Sequence, residues 1–448
     1  PCPLPWGEGI GGHHLFALLI ALLWAVHPLN TEAVAWASAR KDLLSGFFFL
    51  LTLCSYVRWE KEEGKRKQWY VLSVVFYALG LLAKVSIAPL PIILLFTDWL
   101  QERRFDRSSL IKKIPFFALS IMFGIIALGG KHGNTELFSE KILIGAKATI
   151  FSLGKIVWPT GLSVLYPYTQ PITWSNADLF LPLLCVIFLS LLAFLFRKKC
   201  PMIAYGWAFF LLMLLPSFTN FAKGHDQLRD VYFASDRYAY LPSMGIFLLF
   251  IAIIYQRPTP YSKLLTGTLG FLVVPLSLLS YRQSLVWRTT ETLFQNVTQH
   301  YPDSHIAWNN LGSIALGRGD ETAAFEDYER SLAIRPNAAA FFNMGQIALQ
   351  KGLIAEAMEL YRRAIVSRPN DIDSLLNLGV LHLRIGNATV ATDLFRRAIA
   401  FDDRLAIAHF NLGLALEALG DRNGARRSYT HAIELDPGDQ EAREKLAQ

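Results

Sequence analysis

The sequence predicts an all-α protein in two parts, a polytopic membrane helix bundle followed by an α-solenoid of helical repeats. Three observations carry this expectation. The 448 residues are 53% hydrophobic and only 18% charged, against roughly 25% charged in ordinary soluble domains. Long apolar runs fill the chain as far as residue 281 and then stop. Beyond them Asp, Glu, Arg and Asn recur at regular spacing, as in a soluble helical protein. The expected layout is an irregular start or linker at 1–12, a multi-pass membrane domain at 13–286 and a repeat domain at 287–448.

Nine segments are apolar enough to cross or nearly cross a bilayer: about 13–26, 43–57, 69–83, 86–100, 114–128, 179–196, 202–219, 239–255 and 264–281. Several are shorter than the roughly 20 residues a perpendicular helix needs. The segment 141–158 carries Lys141, Lys147 and Lys155 among apolar residues and ends at Pro159, the pattern of a helix lying in the interface. The opening "PCPLPWGEGIGG" has no Met, basic n-region or apolar h-region, so it is not a signal peptide; it reads as the start of a truncated piece.

Orientation follows from the loops. Those at 58–68, 101–113, 197–201 and 256–263 hold 15 Lys and Arg in 37 residues, which makes them cytoplasmic. The opposite loops and the C-terminal domain are then external, periplasmic for a bacterial inner-membrane protein or lumenal in an endoplasmic reticulum membrane. The net charge of +7 is accounted for by the cytoplasmic loops, so no nucleic-acid partner is expected. Cys2, Cys54, Cys185 and Cys200 have no metal-ligand spacing, and neither a disulfide framework nor a metal site is expected.

Chemistry is expected in "HPLNTEAVAWASARKDLL", which packs His27, Glu32, Arg40, Lys41 and Asp42 between two apolar segments. Charges beside a bilayer are costly unless they have partners or work. On the same face lie Lys84, at the end of "GLLAK", and the loop "FAKGHDQLRDVYFASDRYAYLP" with Lys223, His225, Asp226, Arg229, Asp230, Asp236 and Arg237. Arg offers a phosphate bidentate geometry and Lys a point charge, while the carboxylates suit salt-bridge partners or general bases. For each residue a plainer role stays open: a polar capping loop, a snorkelling Lys, Asp236 capping the next helix.

From His305 the chain repeats. Gly312, Gly345, Gly379 and Gly413 recur at steps of 33, 34 and 34, and Ala324, Ala357, Ala391 and Ala425 keep the same steps, as do Tyr328, Tyr361, Phe395 and Tyr429. Pro336, Pro369 and Pro437 close three units and Asp403 replaces Pro in the third. This is the tetratricopeptide pattern, with units at about 305–337, 338–371, 372–405 and 406–439, a half-unit before them at 287–302 and a C-terminal cap helix. Such solenoids offer a concave groove to an extended peptide. Asn310, Asn343, Asn377 and Asn411 recur at one position of each first helix and are candidates for an amide ladder along that groove, unless Asn is simply frequent there.

The strings "HPLNTEAVAWASARKDLLSGFFFLLTLCSYVRW", "GLLAKVSIAPLPIILLFTDW", "LGKIVWPTGLSVLYPY" and "SDRYAYLPSMGIFLL", followed by the repeats, resemble the transmembrane and tetratricopeptide-repeat glycosyltransferases, O-mannosyltransferase-like members of the C-type superfamily, in collinear order over roughly 13–448. The resemblance implies a membrane enzyme that moves a sugar, such as mannose, from a polyprenyl-phosphate carrier to a protein or glycan acceptor on the external face. It needs no cofactor beyond the lipid-linked donor. By position, His27, Glu32, Arg40 and Asp42 match the family's first shared loop, Lys84 its helix-end lysine, and Asp236, Arg237 and Tyr238 its late external motif; Arg40, Lys84 and Arg237 are the expected phosphate contacts. The resemblance also implies a catalytic Asp in an earlier external loop, upstream of residue 1. Val85 stands where many eukaryotic relatives carry an acidic residue. The alternative reading is a non-catalytic membrane scaffold that gathers proteins through its repeats.

Overall fold

The computed structural model describes residues 12–61, 66–102, 107–129, 138–219, 222–223, 230–255 and 259–447; most of the expected irregular start, 1–11, and His225, Asp226 and Arg229 lie outside them. The chain forms two compact units, Pro1–Tyr301 and Pro302–Gln448. The segment read as a half-repeat forms a helix within the first.

In the first unit the helices run α1 (Gly12–Ala25), α2 (Thr31–Ala35), α3 (Arg40–Lys61), α4 (Arg66–Ala83), α5 (Leu90–Glu102), α6 (Arg107–Lys112), α7 (Ile114–Gly129), α8 (Phe138–Val157), α9 (Ala177–Phe196), α10 (Pro201–Leu214), α11 (Tyr240–Tyr255), α12 (Thr259–Val286) and α13 (Thr290–His300). Each of the nine apolar segments falls on a helix, and the amphipathic stretch is α8. Among the described residues Ala177–Phe196, Pro201–Phe218 and Thr266–Val286 are long and apolar enough to cross a membrane, and Leu15–Ala25 with Pro28–Ala35 would be so as one span bent by 51°. Lys67–Ala83, Val85–Gln101 and Ile114–Ala127 are shorter apolar helices.

Two packing features set the framework of this unit. Helices α10 and α11 cross at glycines: a Cβ on Gly206 would stand 2.5 Å from the Gly245 carbonyl oxygen, so the two backbones touch, as small residues permit between membrane helices. A buried polar knot ties α3, α5, α6 and the start of α7. Lys113, counted above as a loop charge, is wholly buried. It pairs with Asp98 and donates to Ser109 Oγ at 3.0 Å, while the Tyr56 hydroxyl donates to Asp98 at 2.9 Å. A charge taken that far from water persists only when paired and hydrogen-bonded.

The unit also holds a small sheet absent from the all-helical expectation. Strands β1 (Tyr166–Tyr168), β2 (Ala222–Lys223) and β3 (Asp230–Ala234) pair antiparallel in the order β1-β3-β2. Strand β3 runs straight into the motif Ser235–Asp236–Arg237, so the sheet fixes where that motif sits.

The second unit stacks helix pairs α14 (His305–Gly317) with α15 (Glu321–Ile334), α16 (Ala338–Gln350) with α17 (Ile354–Ser367), α18 (Ile372–Arg384) with α19 (Ala388–Phe401) and α20 (Ala406–Ala418) with α21 (Arg422–Leu435), then α22 (Gln440–Ala447). The recurring residues meet inside each pair: a Cβ on Gly312 or Gly345 would stand 2.8 Å from the ring of Tyr328 or Tyr361, and one on Gly379 2.6 Å from Phe395. Turn glycines such as Gly352 (φ +74°) and Gly386 (φ +84°) end the first helix of a pair in the left-handed region that favours Gly.

Candidate functional site

The first shared loop folds as a 3₁₀ turn, Pro28–Asn30, then the one-turn-and-a-half helix α2, a second 3₁₀ turn, Ala37–Ala39, and the start of α3. This places Glu32 on the side of α2 that meets the late motif. Glu32 is buried. It accepts from Ser235 Oγ at 2.7 Å, from the Arg237 backbone N–H at 3.0 Å and from the Arg237 guanidinium at 2.9 Å. Arg237 in turn lies 4.3 Å over the Trp36 ring and 5.0 Å over Tyr238. A guanidinium so bracketed has one orientation.

Lys84, in extended backbone between α4 and the turn Val85–Ile87, forms an ion pair with Asp42 in the first turn of α3 and stands 5.8 Å over the Tyr238 ring. Burial lowers its pKa, with Asp42 opposing the shift. The other Asp42 carboxylate oxygen is buried with no hydrogen-bond partner among the described residues. Gly46 lets α3 approach the Tyr240 ring, 3.1 Å from where a Cβ would stand. Asp42, Lys84, Ser86, Ser217, Arg237, Tyr238 and Tyr240 together line one cavity of about 40 Å³.

Asp236 faces away from that cavity. It is buried and accepts from the Tyr166 hydroxyl at 2.6 Å, whose oxygen accepts from the Ser163 N–H at 2.8 Å. Burial, and next to it the Glu32 charge, hold its carboxyl well above the usual range. His27 is also occupied: its Nδ1 accepts from the Leu29 N–H at 3.2 Å and its Nε2 donates to the Ile156 carbonyl at 3.0 Å. Burial lowers its pKa to about 4, so the ring is neutral at pH 7. Arg40, one of the three expected phosphate contacts, is exposed and does not line the cavity.

The structure therefore gathers Asp42, Lys84 and Arg237 at one cavity, sets Glu32 behind Arg237, and uses His27 and Asp236 in the frame. Sequence reasoning missed Trp36, Ser235, Tyr166 and Ser217. Tyr166 had a signal in "LYPY", alternation at the start of a strand; Trp36 and Ser235 had none beyond their place inside the quoted strings, and Ser217 had none.

The four repeat asparagines are not equivalent. Asn310 and Asn377 donate to carbonyls of their own helices, Ile306 and Asp373, both at 2.8 Å. Asn343 reaches Ser313 of the preceding repeat at 3.4 Å, and Asn411 is buried. A uniform ladder of free amides is not what the helices present.

Tetratricopeptide-repeat family profiles match residues 290–339 and 342–406, and 406–439, so the C-terminal part of the chain is a solenoid of that class. Over about 70% of its length the chain is similar to proteins named protein O-mannosyl-transferases. It is 24% identical to protein O-mannosyl-transferase TMTC4 of Mus musculus over 368 residues, covering 70% of this chain and 48% of the relative. It is 25% identical to TMTC1 of Homo sapiens over 385 residues, covering 72% and 42%. The chain thus spans about half the length of the curated relatives it matches. Among solved structures, the crystal structure of MamA protein is 20% identical over 33% of this chain and 81% of its own, with a TM-score of 0.29.

Proposed function

We propose that the chain is the membrane and repeat portion of a glycosyltransferase that takes a sugar, mannose by analogy with its relatives, from a polyprenyl-phosphate carrier and passes it to a protein acceptor at the external face of the membrane. The observation that carries this reading is the meeting of Lys84, Arg237 and Asp42 at one cavity beside membrane helices. In the reaction the acceptor hydroxyl gives its proton to a general base as its oxygen attacks the anomeric carbon, the bond from that carbon to the phosphate oxygen breaks, and the departing lipid phosphate takes the electron pair and gains charge. Donors aimed at that charge in a poorly hydrated site stabilise the transition state more than the ground state. Arg237 is suited to this because Glu32, Trp36 and Tyr238 fix its plane, and Lys84 because Asp42 offsets the burial of its charge only in part, so that a second anion stabilises it further. Asp42 holds Lys84 in the free protein, and its second oxygen, buried without a partner among the described residues, is the acceptor we assign to a substrate hydroxyl. The repeats supply the surface for the acceptor or a partner protein.

The test is sugar transfer in membranes containing the protein, with labelled polyprenyl-phosphate sugar and labelled nucleotide sugar compared. Transfer from the lipid donor, and none from the nucleotide sugar after the lipid pool is depleted, supports the reading. Absence of transfer from every lipid donor, with the protein present and folded, would overturn it in favour of the scaffold.

A further inference from the structure

The second helices of the four repeats, α15, α17, α19 and α21, are each 14 residues long, and each leaves one side in solvent. Residues three, four and seven apart share a helix face, so these sides can be compared. On α15 the side is acidic: Glu326, Asp327 and Glu329 stand with one cation, Arg330, which lies 3.7 Å from Glu326 and 3.4 Å from Asp327. On α17 it is balanced, Glu356 and Glu359 against Arg362 and Arg363, with Arg362 and Glu359 paired at 2.7 Å. On the last two helices it is basic. Arg396 and Arg397 of α19 stand with Asp393, and Arg426 and Arg427 of α21 with Glu434, all of them exposed; His431 engages Glu434 at 2.9 Å. The middle of the row is also apolar. Val366 of α17 is 71% exposed, and Phe401 and Val390 of α19 are 51% and 44% exposed. Among the described residues, α15 and α21 expose no large apolar side chain.

A row ordered acidic, balanced, basic, basic is complementary to itself when turned end for end. Basic α21 then meets acidic α15, α19 meets α17, and the apolar middle meets its own image. An isologous interface requires that self-complementarity; a partner of one charge sign would use one end of the row and be repelled by the other. We propose that this face pairs with a second copy of the same chain, antiparallel, with α15 of each copy on α21 of the other and Val366, Val390 and Phe401 of both meeting about the two-fold axis. The dimensions suit this. Helices of 14 residues are about 21 Å long and pack about 10 Å apart, so four of them present a face of about 800 Å², the share of one partner in a standard interface. Affinity comes from the apolar middle in proportion to the area it removes from water. The exposed charges at the two ends add little to it and set the order in which the helices meet.

The experiment weighs the whole detergent-solubilised chain by mass photometry over a dilution series, where the unmodified chain is expected to show a concentration-dependent dimer. One variant carries Arg426→Glu with Arg427→Glu, which sets acid against the α15 of a second copy. The other carries Glu326→Arg with Glu329→Arg, which sets base against α21. Each is expected to raise the dimer Kd on the order of tenfold or more, because like charges across an interface repel. Mixed in equal amounts, the two variants are expected to pair with each other, since α15 of each then answers α21 of the other. All four substitutions in one chain are expected to restore self-association. Both rescues also show that the variants are folded, as their exposed positions predict. A monomer throughout the series, a dimer indifferent to both sets of substitutions, or two weakened variants that do not pair with each other would overturn the proposal.

Discussion

Glu32 and Arg237, 205 residues apart in sequence, meet at 2.9 Å, and around that contact the early and late motifs become one site. The carboxylate takes three donors from the late motif, so the pair fixes both the Arg237 side chain and the backbone that carries it. Removing one partner of a buried ion pair leaves the other uncompensated and costs about 3–5 kcal/mol. Glu32→Ala is expected to lower the melting temperature of the detergent-solubilised protein sharply. Glu32→Gln, which keeps an oxygen for Ser235 or the backbone, is expected to lower it less. Equal melting of Glu32→Ala and the parent would show that the pair does not hold the motif.

His27 gives the fold a pH dependence of known sign. Its folded pKa of about 4 lies below the roughly 6.5 of an unfolded His, so the unfolded state binds the proton first as pH falls. The contribution is fully present above about pH 6.5 and is lost as pH falls through about 4. The melting temperature of the parent is expected to drop between pH 7 and 5. In His27→Gln, where a side-chain amide replaces the titrating ring, that part of the drop should disappear, and an unchanged slope would assign it to other groups.

In the repeats, the glycine beneath each aromatic is a packing position. A Cβ at Gly379 would stand 2.6 Å from the Phe395 ring, and overpacking of that kind costs about 1–3 kcal/mol. Gly379→Ala is therefore expected to open α18 and α19 to limited proteolysis, with cleavage in the first unit unchanged. Phe395→Ala, which leaves a cavity, should open the same pair further, since loss of a buried Phe costs about 3–5 kcal/mol. Cleavage rates equal to the parent's in both variants would contradict the packing.

Much of this was legible in the sequence for identifiable reasons. Apolar length marked the helices of the first unit because each segment is nearly continuous, and the repeat was readable because Gly, Ala and aromatic keep one period through four units. The charged strings pointed to Lys84, Asp42, Glu32 and Arg237 because charge is rare in that half. The pairing was not legible: nothing local says that Glu32 answers Arg237 while Arg40, eight residues later, faces solvent. That difference arises because α2 and the Ala37–Ala39 turn reset the helical phase before α3 starts. The strands β2 and β3 sat inside a polar, charge-rich loop whose alternation is short. Lys113 read as one more loop cation because its partners Asp98 and Tyr56 come from other helices.

The most direct test of the central claim compares the donor dependence of sugar transfer in Lys84→Ala, Arg237→Lys and Arg40→Ala at matched membrane abundance. Lys84→Ala is expected to lower kcat/KM for the lipid donor by on the order of 10²–10³, the cost of removing one aimed donor. Arg237→Lys should lower it substantially, because an ammonium loses both the stacking plane and the bidentate fork, and Arg40→Ala should stay near the parent. Loss of transfer in Arg40→Ala with Lys84→Ala unaffected would contradict the assignment and move the phosphate to the exposed end of α3.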